Sequence, residues 1–200
     1  MKDEFREANV VTAAPGEERS PALALVNTRR LGAGGEIDDL AEPPATAEWL
    51  RRHELPAASF GADDLRRVTD LRAAVRELLA ALAENRAPDP AAVETVNAAA
   101  RSDAAAPQLT WPSGPRREWR STSPGSVEEA LAALARDAID VVTGDLAHLV
   151  RPCEAHGCVR FFFREHARRR WCSTTCGDRV RAARHQRLVV EQRESSRGAG

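Results

Sequence analysis

Apolar residues recur every three or four positions in several stretches of the chain, which is the periodicity of an amphipathic α-helix. The clearest stretch begins at Asp63 or Asp64 and ends near Asn85. The apolar residues that recur at intervals of three or four in this stretch are Leu65, Val68, Leu71, Val75, Leu78, Leu79 and Leu82. The pattern therefore predicts a long helix with one buried face.

Further helices are predicted where a capping residue precedes an apolar pattern. Ser126 and Glu129 form a capping box before a long helix that continues to Leu149 and is stopped by Pro152. Shorter helices are predicted from Pro21 to about Arg30, from the N-cap Thr46 through Trp49 and Leu50, and from Asp89 through Val96 to Asn97. In this interpretation the glycine cluster 32–35 ends the first of these helices.

Two extended segments interrupt the helical pattern. Gln108–Trp111 and Arg116–Thr122 flank the turn-forming Pro112–Pro115, which is typical of a β-hairpin. The predicted fold class is therefore mainly α: a helical N-terminal domain with a small β-hairpin, followed by a small C-terminal module.

Composition limits the class of protein. The 200 residues are 42% hydrophobic and 30% charged, as in ordinary globular chains. No run of eighteen apolar residues exists and the first seven residues are mostly charged, so we expect no membrane span, no secretory signal and a cytoplasmic protein. The net charge of −1 divides into +7 for residues 151–200 and −8 for the rest.

The basic third also contains all four cysteines. Their spacing is Cys153-x4-Cys158-x13-Cys172-x3-Cys176, which is two short pairs separated by a loop long enough to fold back as a hairpin. Tetrahedral Zn²⁺ takes four such thiolates. The sequence therefore predicts one structural zinc ion in a treble-clef-like finger. We expect no catalytic zinc, because four thiolates leave no open position for water.

Other states of the cysteines remain open from sequence alone. The four residues could form two disulfides or stay as free thiols, although a cytoplasmic chain disfavours disulfides. A histidine could also replace one thiolate, and the candidates are His156, His166 and His185.

Basic residues surround the predicted finger and suggest binding to DNA phosphates. The candidate contacts are Arg168, Arg169, Arg170, Arg179, Arg181, Arg184, His185 and Arg187. The first alternative is a protein-interaction module that binds an acidic partner. A solvated arginine-rich helix is the second, and a basic module docked on the acidic domain is the third.

The segment from Cys153 to Cys158 and the run Arg170–Arg179 resemble the CGNR zinc-finger family. That family is named for its last ligand followed by Gly-Asn-Arg, whereas Asp178 stands in the asparagine position here. Matching pieces of the associated ABATE domain are Leu23–Thr28, Asp38–Leu40, Trp49–Leu50, Leu71–Ala74 and Val96–Asn97. The resemblance implies a bacterial, stress-linked transcription regulator.

The predicted organisation has four parts. They are a flexible arm over 1–20, a helical ABATE-like domain over 21–150, a CGNR-type finger over 151–190 and a disordered tail over 191–200.

Polar residues on apolar helices suggest a sensory role for the helical domain. Asn27, Arg72 and Asn97 are a possible pocket for a small-molecule effector, and a homodimer is the other expected role of this domain. The sequence has neither a Ser-His-Asp order nor an HExxH motif, so we expect no enzyme. A small-molecule-binding enzyme in the helical domain is the remaining alternative.

Overall fold

The computed structural model describes residues 12–32, 34–55 and 57–197. The described chain contains these elements in order: α1 (Pro21–Val26), β1 (Arg29–Gly32), β2 (Gly35–Asp38), α2 (Pro43–Arg52), α3 (Ala62–Glu84), α4 (Pro90–Arg101), β3 (Ala106–Thr110), β4 (Arg116–Arg120), α5 (Val127–Thr143), a 3-10 turn (Ala147–Leu149), β5 (Val150–Pro152), β6 (Phe161–Phe163) and α6 (Thr174–Arg197). The strands pair as three antiparallel hairpins, β1–β2, β3–β4 and β5–β6. The mainly α fold class is confirmed.

Helix α3 is the centre of the helical core. It packs against α1, α4 and α5, and Val68, Leu71, Val75 and Leu79 of its predicted stripe are buried. Each such side chain contributes roughly 1.5–3 kcal/mol by leaving water. The periodicity that predicts the helix therefore also marks the face that forms the core.

The ends of α3 follow local chemistry that the sequence shows. The backbone N–H of Gly61 donates to Asp64 Oδ2 at 3.0 Å, and Asn85 closes the helix in the left-handed region at φ 52. Asp89 caps α4 by accepting from the Ala91 N–H at 2.8 Å. Both predicted helices and the β3–β4 hairpin are confirmed, although α3 begins at Ala62 and α4 continues past Asn97 to Arg101.

Three predicted helix bounds are wrong. The first helix ends at Val26, and the chain then forms the β1–β2 hairpin, in which Gly32 pairs with Gly35. Helix α2 already begins at Pro43, so Thr46 lies inside it and donates its hydroxyl to the Glu42 carbonyl.

The last of the three corrections concerns α5, which ends at Thr143 rather than Leu149. Gly144 follows in an extended conformation, with φ −96 and ψ −169. A Cβ on Gly144 would lie 2.6 Å from the Asp140 carbonyl oxygen, so a side chain does not fit here. The chain continues as the 3-10 turn and enters β5 at Val150.

The flexible arm and disordered tail also differ from the structure. Residues 1–11 and 198–200 lie outside the described residues, but α6 continues to Arg197. Ala14 is fully buried, and the Pro15 carbonyl accepts from the Phe163 N–H at 2.8 Å. Gly16 has φ +103, and a Cβ there would lie 2.3 Å from the Phe163 ring.

The β5–β6 hairpin lies in the main core although it belongs to the basic third of the chain. Val150, Phe161 and Phe163 are buried in the same apolar cluster as α1, α3 and α5. Phe162 faces the opposite side, where it packs among the cysteines. The predicted domain boundary at residue 150 stays a prediction, and the packing joins the two parts through this hairpin.

Candidate metal centre and cationic surface

The four cysteines are placed by two short structural motifs. Cys153 follows β5 and Cys158 lies just before β6, in a turn where the Cys158 N–H donates to the Ala155 carbonyl at 2.9 Å. Cys172 precedes α6, and Cys176 lies in its first turn. A hairpin and a helix N-terminus therefore each contribute one pair of sulfur atoms.

The sulfur atoms have the geometry of a tetrahedral metal site. The Sγ distances are 3.8 Å from Cys158 to Cys172, 3.7 Å from Cys172 to Cys176 and 3.8 Å from Cys176 to Cys158. Four ligands about 2.3 Å from one zinc ion lie about 3.8 Å apart along the edges of the tetrahedron. All four Sγ atoms lie within 4.8 Å of one another, so the residues present fit one Zn²⁺.

The alternatives to four thiolate ligands find no support in the described residues. None of the four cysteines forms a disulfide, and a covalent S–S bond of about 2.05 Å is far shorter than these contacts. No histidine joins the cluster among the described residues, so His156, His166 and His185 are not ligands in this arrangement. Zinc as the cofactor is thus the prediction that the geometry favours.

The centre needs positive charge to hold four thiolates together. Hydrogen bonds with Cys158 and Cys172 lower the pKa of Cys153 to about 2. The same contact raises the pKa of Cys158 to about 11, and the neighbouring sulfurs raise that of Cys172 further. Zn²⁺ binds the thiolate form of each cysteine, so metal binding would release the thiol protons.

The protein itself supplies part of this positive charge. The Cys172 N–H donates to Cys153 Sγ at 3.3 Å, and Arg179 Nη2 lies 3.9 Å from Cys176 Sγ. Ser173 caps α6 by accepting from the Cys176 N–H at 3.2 Å, so the positive helix terminus faces the sulfurs. These contacts offset the formal charge of −2 on a Zn(Cys)4 unit.

A hairpin knuckle joined through one metal ion to a helix terminus defines a small zinc finger, here fused to a helical domain. Comparison with family models agrees with this class. Residues 19–145 match the ABATE model, described as "Putative stress-induced transcription regulator", and residues 150–187 match the CGNR zinc finger. The chain belongs to the ABATE family and carries a C-terminal CGNR zinc finger. No curated protein matches it.

The predicted DNA-contact residues fall into two groups. Arg168, Arg169, Arg184, His185 and Arg187 are exposed, and no described residue gives their side chains a partner. We call these five residues the free cationic group. Arg170 instead pairs with Glu154 and Arg181 with Asp178, and Arg179 lies at the metal centre.

Asp178 has a defined effect where the family has asparagine. Its Oδ1 accepts from Arg181 Nη2 at 2.5 Å along one turn of α6, and the Arg181 guanidinium also lies 5.9 Å from the centre of the Trp171 ring. Arg181, Arg184 and Arg187 follow each other at intervals of three residues along α6. The aspartate neutralises the first of them, Arg181.

Helix α6 projects away from the helical core. Every residue from 181 to 188 is exposed, and the helix of 24 residues is about 36 Å long. None of the described helices is both long and apolar enough to cross a membrane.

The predicted ligand-pocket residues are not assembled as one group. Asn27 holds the backbone of Phe161 from both sides: its Nδ2 donates to the carbonyl at 2.8 Å, and its Oδ1 accepts from the N–H at 2.8 Å. Arg72 pairs with Asp38. Asn97 is half-buried on α4 and shares no hydrogen bond with either residue.

Arg72 forms a structural ion pair that we expect to stabilise the fold. It donates to both Asp38 oxygens at 2.6 and 2.7 Å and to Thr28 Oγ1 at 2.9 Å. The hydrogen bond from Arg72 is the main reason that the pKa of Asp38 is lowered. The pair therefore contributes fully above about pH 4, the ordinary carboxyl value, and the contribution is lost as the pH falls through the lower folded value.

Replacing Arg72 with methionine should lower the free energy of unfolding at pH 7 by about 2–3 kcal/mol, because Asp38 would lose its partner. This is below the value for a fully buried pair because Asp38 is 33% exposed. Urea unfolding at pH 7 measures the loss. The control is Arg51→Met, which breaks an exposed pair with Glu48 and should cost less than about 1 kcal/mol. Equal losses in the two variants would contradict the assignment.

Sequence reasoning missed several polar residues that lie around Asn27. Glu17 and Arg160 form a pair at 2.6 Å with exposures of only 15% and 7%. Trp49 and His53 stack with their ring centres 4.0 Å apart. Only the Trp49–His53 spacing of four residues on a helix gave a signal in the sequence, since the other contacts join distant parts of the chain.

Proposed function

We propose that the protein is a zinc-dependent, DNA-binding transcription regulator of the bacterial cytoplasm. In this proposal α6 and the preceding loop bring the free cationic group to the phosphate backbone of duplex DNA. The observation that supports it most is that, among the described residues, these five side chains are exposed and none of them has an acidic partner. The proposal includes no catalytic step.

In this proposal the metal contributes to DNA binding only by fixing the orientation of α6. It ties the β5–β6 hairpin to the start of α6 through Cys158 and Cys176, so the projecting helix has a fixed direction relative to the core. A preorganised helix loses less conformational freedom when it binds than a mobile one. The ion itself has four sulfur ligands and takes no part in DNA contacts.

The number of free arginines sets the expected salt dependence. Four arginines of the free cationic group that contact phosphates give a slope of log K against log salt near −3.6, or about 150-fold weaker binding at 200 mM than at 50 mM salt. Fluorescence anisotropy with a zinc-loaded full chain and a labelled random 25-base-pair duplex measures this slope.

The double variant Arg184→Ala/Arg187→Ala tests the same surface. We expect its salt slope to become less steep by about 1.8, since two phosphate contacts are lost. The matched control Arg101→Ala/Arg120→Ala removes two charges that pair with Glu94 and Glu118 elsewhere, and its slope should remain that of the unaltered chain. No DNA binding at 50 mM salt, or equal slopes for both variants, would overturn the proposal.

A protein partner is the second candidate function, and one observation favours it. Leu188 and Val190 on α6 are 52% and 45% exposed, and phosphate recognition gives apolar side chains no role. An acidic protein surface with an apolar centre would use both features. Sequence selectivity separates the two functions, because a DNA regulator prefers its own site to random DNA by about 10³-fold or more. Selection from a random duplex library measures that preference.

The helical domain is proposed to sense a small-molecule effector or to form a homodimer. The ABATE model covers residues 19–145, which is most of the helical domain. Strand β6 of the finger packs into the core of this domain, so a change in one part can affect the other.

A further inference from the structure

A polar cavity lies where the helical domain meets the finger. Its volume is about 630 Å³, within the usual range of roughly 300–1,000 Å³ for small-molecule sites. Its wall includes Asn27, Trp49, His53 and Arg160, so α1, α2 and the residue just before β6 all contribute. Neither the four cysteines nor the residues of the free cationic group line this cavity.

Charges of both signs line the cavity in pairs. Glu17 Oε1 lies 2.6 Å from Arg160 Nη2, and Asp39 Oδ1 lies 2.9 Å from Arg30 Nη2. Glu48 pairs mainly with Arg51 outside the cavity, at 2.6 Å, and lies 3.6 Å from Arg52 in the cavity wall. The lining is thus close to neutral, yet it offers separate cationic and anionic groups to a ligand.

An aromatic wall completes the cavity. The rings of Trp49 and His53 are stacked with an interplanar angle of 27°. His53 Nδ1 donates to the Trp49 carbonyl at 2.9 Å, because a carbonyl oxygen can only accept. This hydrogen bond fixes the ring orientation and leaves Nε2 for another partner.

We propose that this cavity binds a small zwitterion of the free amino-acid type. An apolar ligand would remove these charged groups from water without compensating them. A multiply charged phosphate would meet three carboxylates. A ligand with one carboxylate and one ammonium group satisfies charges of both signs, and its side chain lies against the aromatic wall.

The site is directly connected to the finger. Arg160 lies two residues after the zinc-ligand candidate Cys158 and holds Glu17, which also accepts from Asn27 at 2.6 Å. Asn27 in turn holds the backbone of Phe161 in β6. Ligand contacts with Glu17 or Arg160 therefore act on the hydrogen bonds that seat β6. An effect on DNA affinity rests on the proposed function, whereas ligand binding does not.

Calorimetry with the zinc-loaded full chain tests the site. The probes are L-glutamate, L-arginine, L-glutamine, L-phenylalanine and L-leucine, each compared with its N-acetyl derivative and its α-methyl ester. We expect at least one free amino acid to bind with a Kd below about 5 mM, and both of its derivatives to bind at least about tenfold weaker. A Kd above that limit for all five, or equal binding of either derivative, would overturn the proposal.

Two matched variants locate the binding. Ala45 lines the cavity and is exposed, so Ala45→Trp should fill the space without disturbing the core and should abolish the calorimetric signal. Ala91→Trp places the same side chain on the exposed surface of α4 and should bind as the unaltered chain does. Unchanged binding by Ala45→Trp would place the ligand elsewhere and refute the cavity.

The consequence for regulation is measured separately. With the probe bound, the Kd for the random duplex should change at least about threefold, and Ala45→Trp should remove this effect. A chain that binds the probe but no DNA would refute the proposed function and leave the cavity assigned. A chain that binds DNA but none of the probes would refute the cavity assignment and leave the proposed function in place.

Discussion

Cys172→Ser is expected to release the metal ion and to unfold the finger. Structural zinc contributes about 10–16 kcal/mol to the folding of small modules at pH 7, which exceeds the total stability of most domains. Cys172 is the sulfur that lies 3.8 Å from Cys158 and 3.7 Å from Cys176, so its loss disconnects the hairpin from α6. No other described residue lies in place to supply the fourth ligand.

The loss should extend into the helical domain. Phe161 and Phe163 belong to the main core, and removing a buried phenylalanine side chain costs about 3–5 kcal/mol. If β6 leaves its place when the metal is lost, the melting temperature should fall by at least about 10 °C. This differs from a finger on a linker, whose unfolding would leave the remaining domain unchanged.

Metal analysis combined with a circular dichroism melt measures both effects. Ser173→Ala is the matched control, because it removes only the cap that accepts from the Cys176 N–H and should cost about 1 kcal/mol with the zinc retained. A Cys172→Ser chain that keeps one zinc ion and melts within about 2 °C of the unaltered protein would contradict the account.

Arg160→Met is expected to cause the second largest loss of stability, about 3–5 kcal/mol at pH 7. The guanidinium is 7% exposed, pairs with Glu17 and donates to the Thr12 carbonyl at 3.1 Å. Burial would lower the pKa of Arg160, but Glu17 and the nearby Cys172 and Cys158 sulfurs outweigh it, so the pKa is raised. Methionine keeps the volume and leaves Glu17 as an uncompensated charge.

A double-mutant cycle separates charge from packing at this pair. Glu17→Gln in the Arg160→Met background should recover part of the lost free energy, because the unpaired carboxylate is then absent. Arg101→Met breaks an exposed pair with Glu94 and should cost less than about 1 kcal/mol. Urea unfolding of the unaltered chain, Glu17→Gln, Arg160→Met, the double variant and Arg101→Met gives the free energies that the cycle and its control require. An Arg160→Met loss no larger than that of Arg101→Met would show that the pair does not seat the finger.

Local chemistry explains which parts of the fold the sequence predicts well. Helix α3 has an uninterrupted apolar period, an acidic residue that caps its start and Asn85 in the left-handed region at its end. The metal centre is equally local within each cysteine pair, since the turn at Cys158 and the cap at Ser173 use neighbouring residues. The spacing therefore predicts a zinc site, and the folded arrangement brings the four sulfurs together with no disulfide and no histidine among the described residues.

The features that the sequence does not show depend on contacts between distant residues. Glu17 and Arg160 are 143 residues apart, so the polar composition of residues 12–20 predicts an arm although the fold buries Ala14 and seats Gly16 against Phe163. Strands β1 and β2 have only four residues each and bury none of them fully, so no apolar pattern in the sequence separates them from a helix end. The sequence does not predict the cavity either, because its lining residues, from Glu17 to Arg160, are far apart along the chain.

The central claim is that four cysteine sulfurs surround one zinc ion and fix the direction of α6. X-ray absorption at the zinc edge of freshly purified, reduced protein tests it most directly. One zinc per chain with four sulfur neighbours at about 2.3 Å is the expected result. A zinc-free protein, or a first coordination shell that contains nitrogen or oxygen atoms, would contradict it.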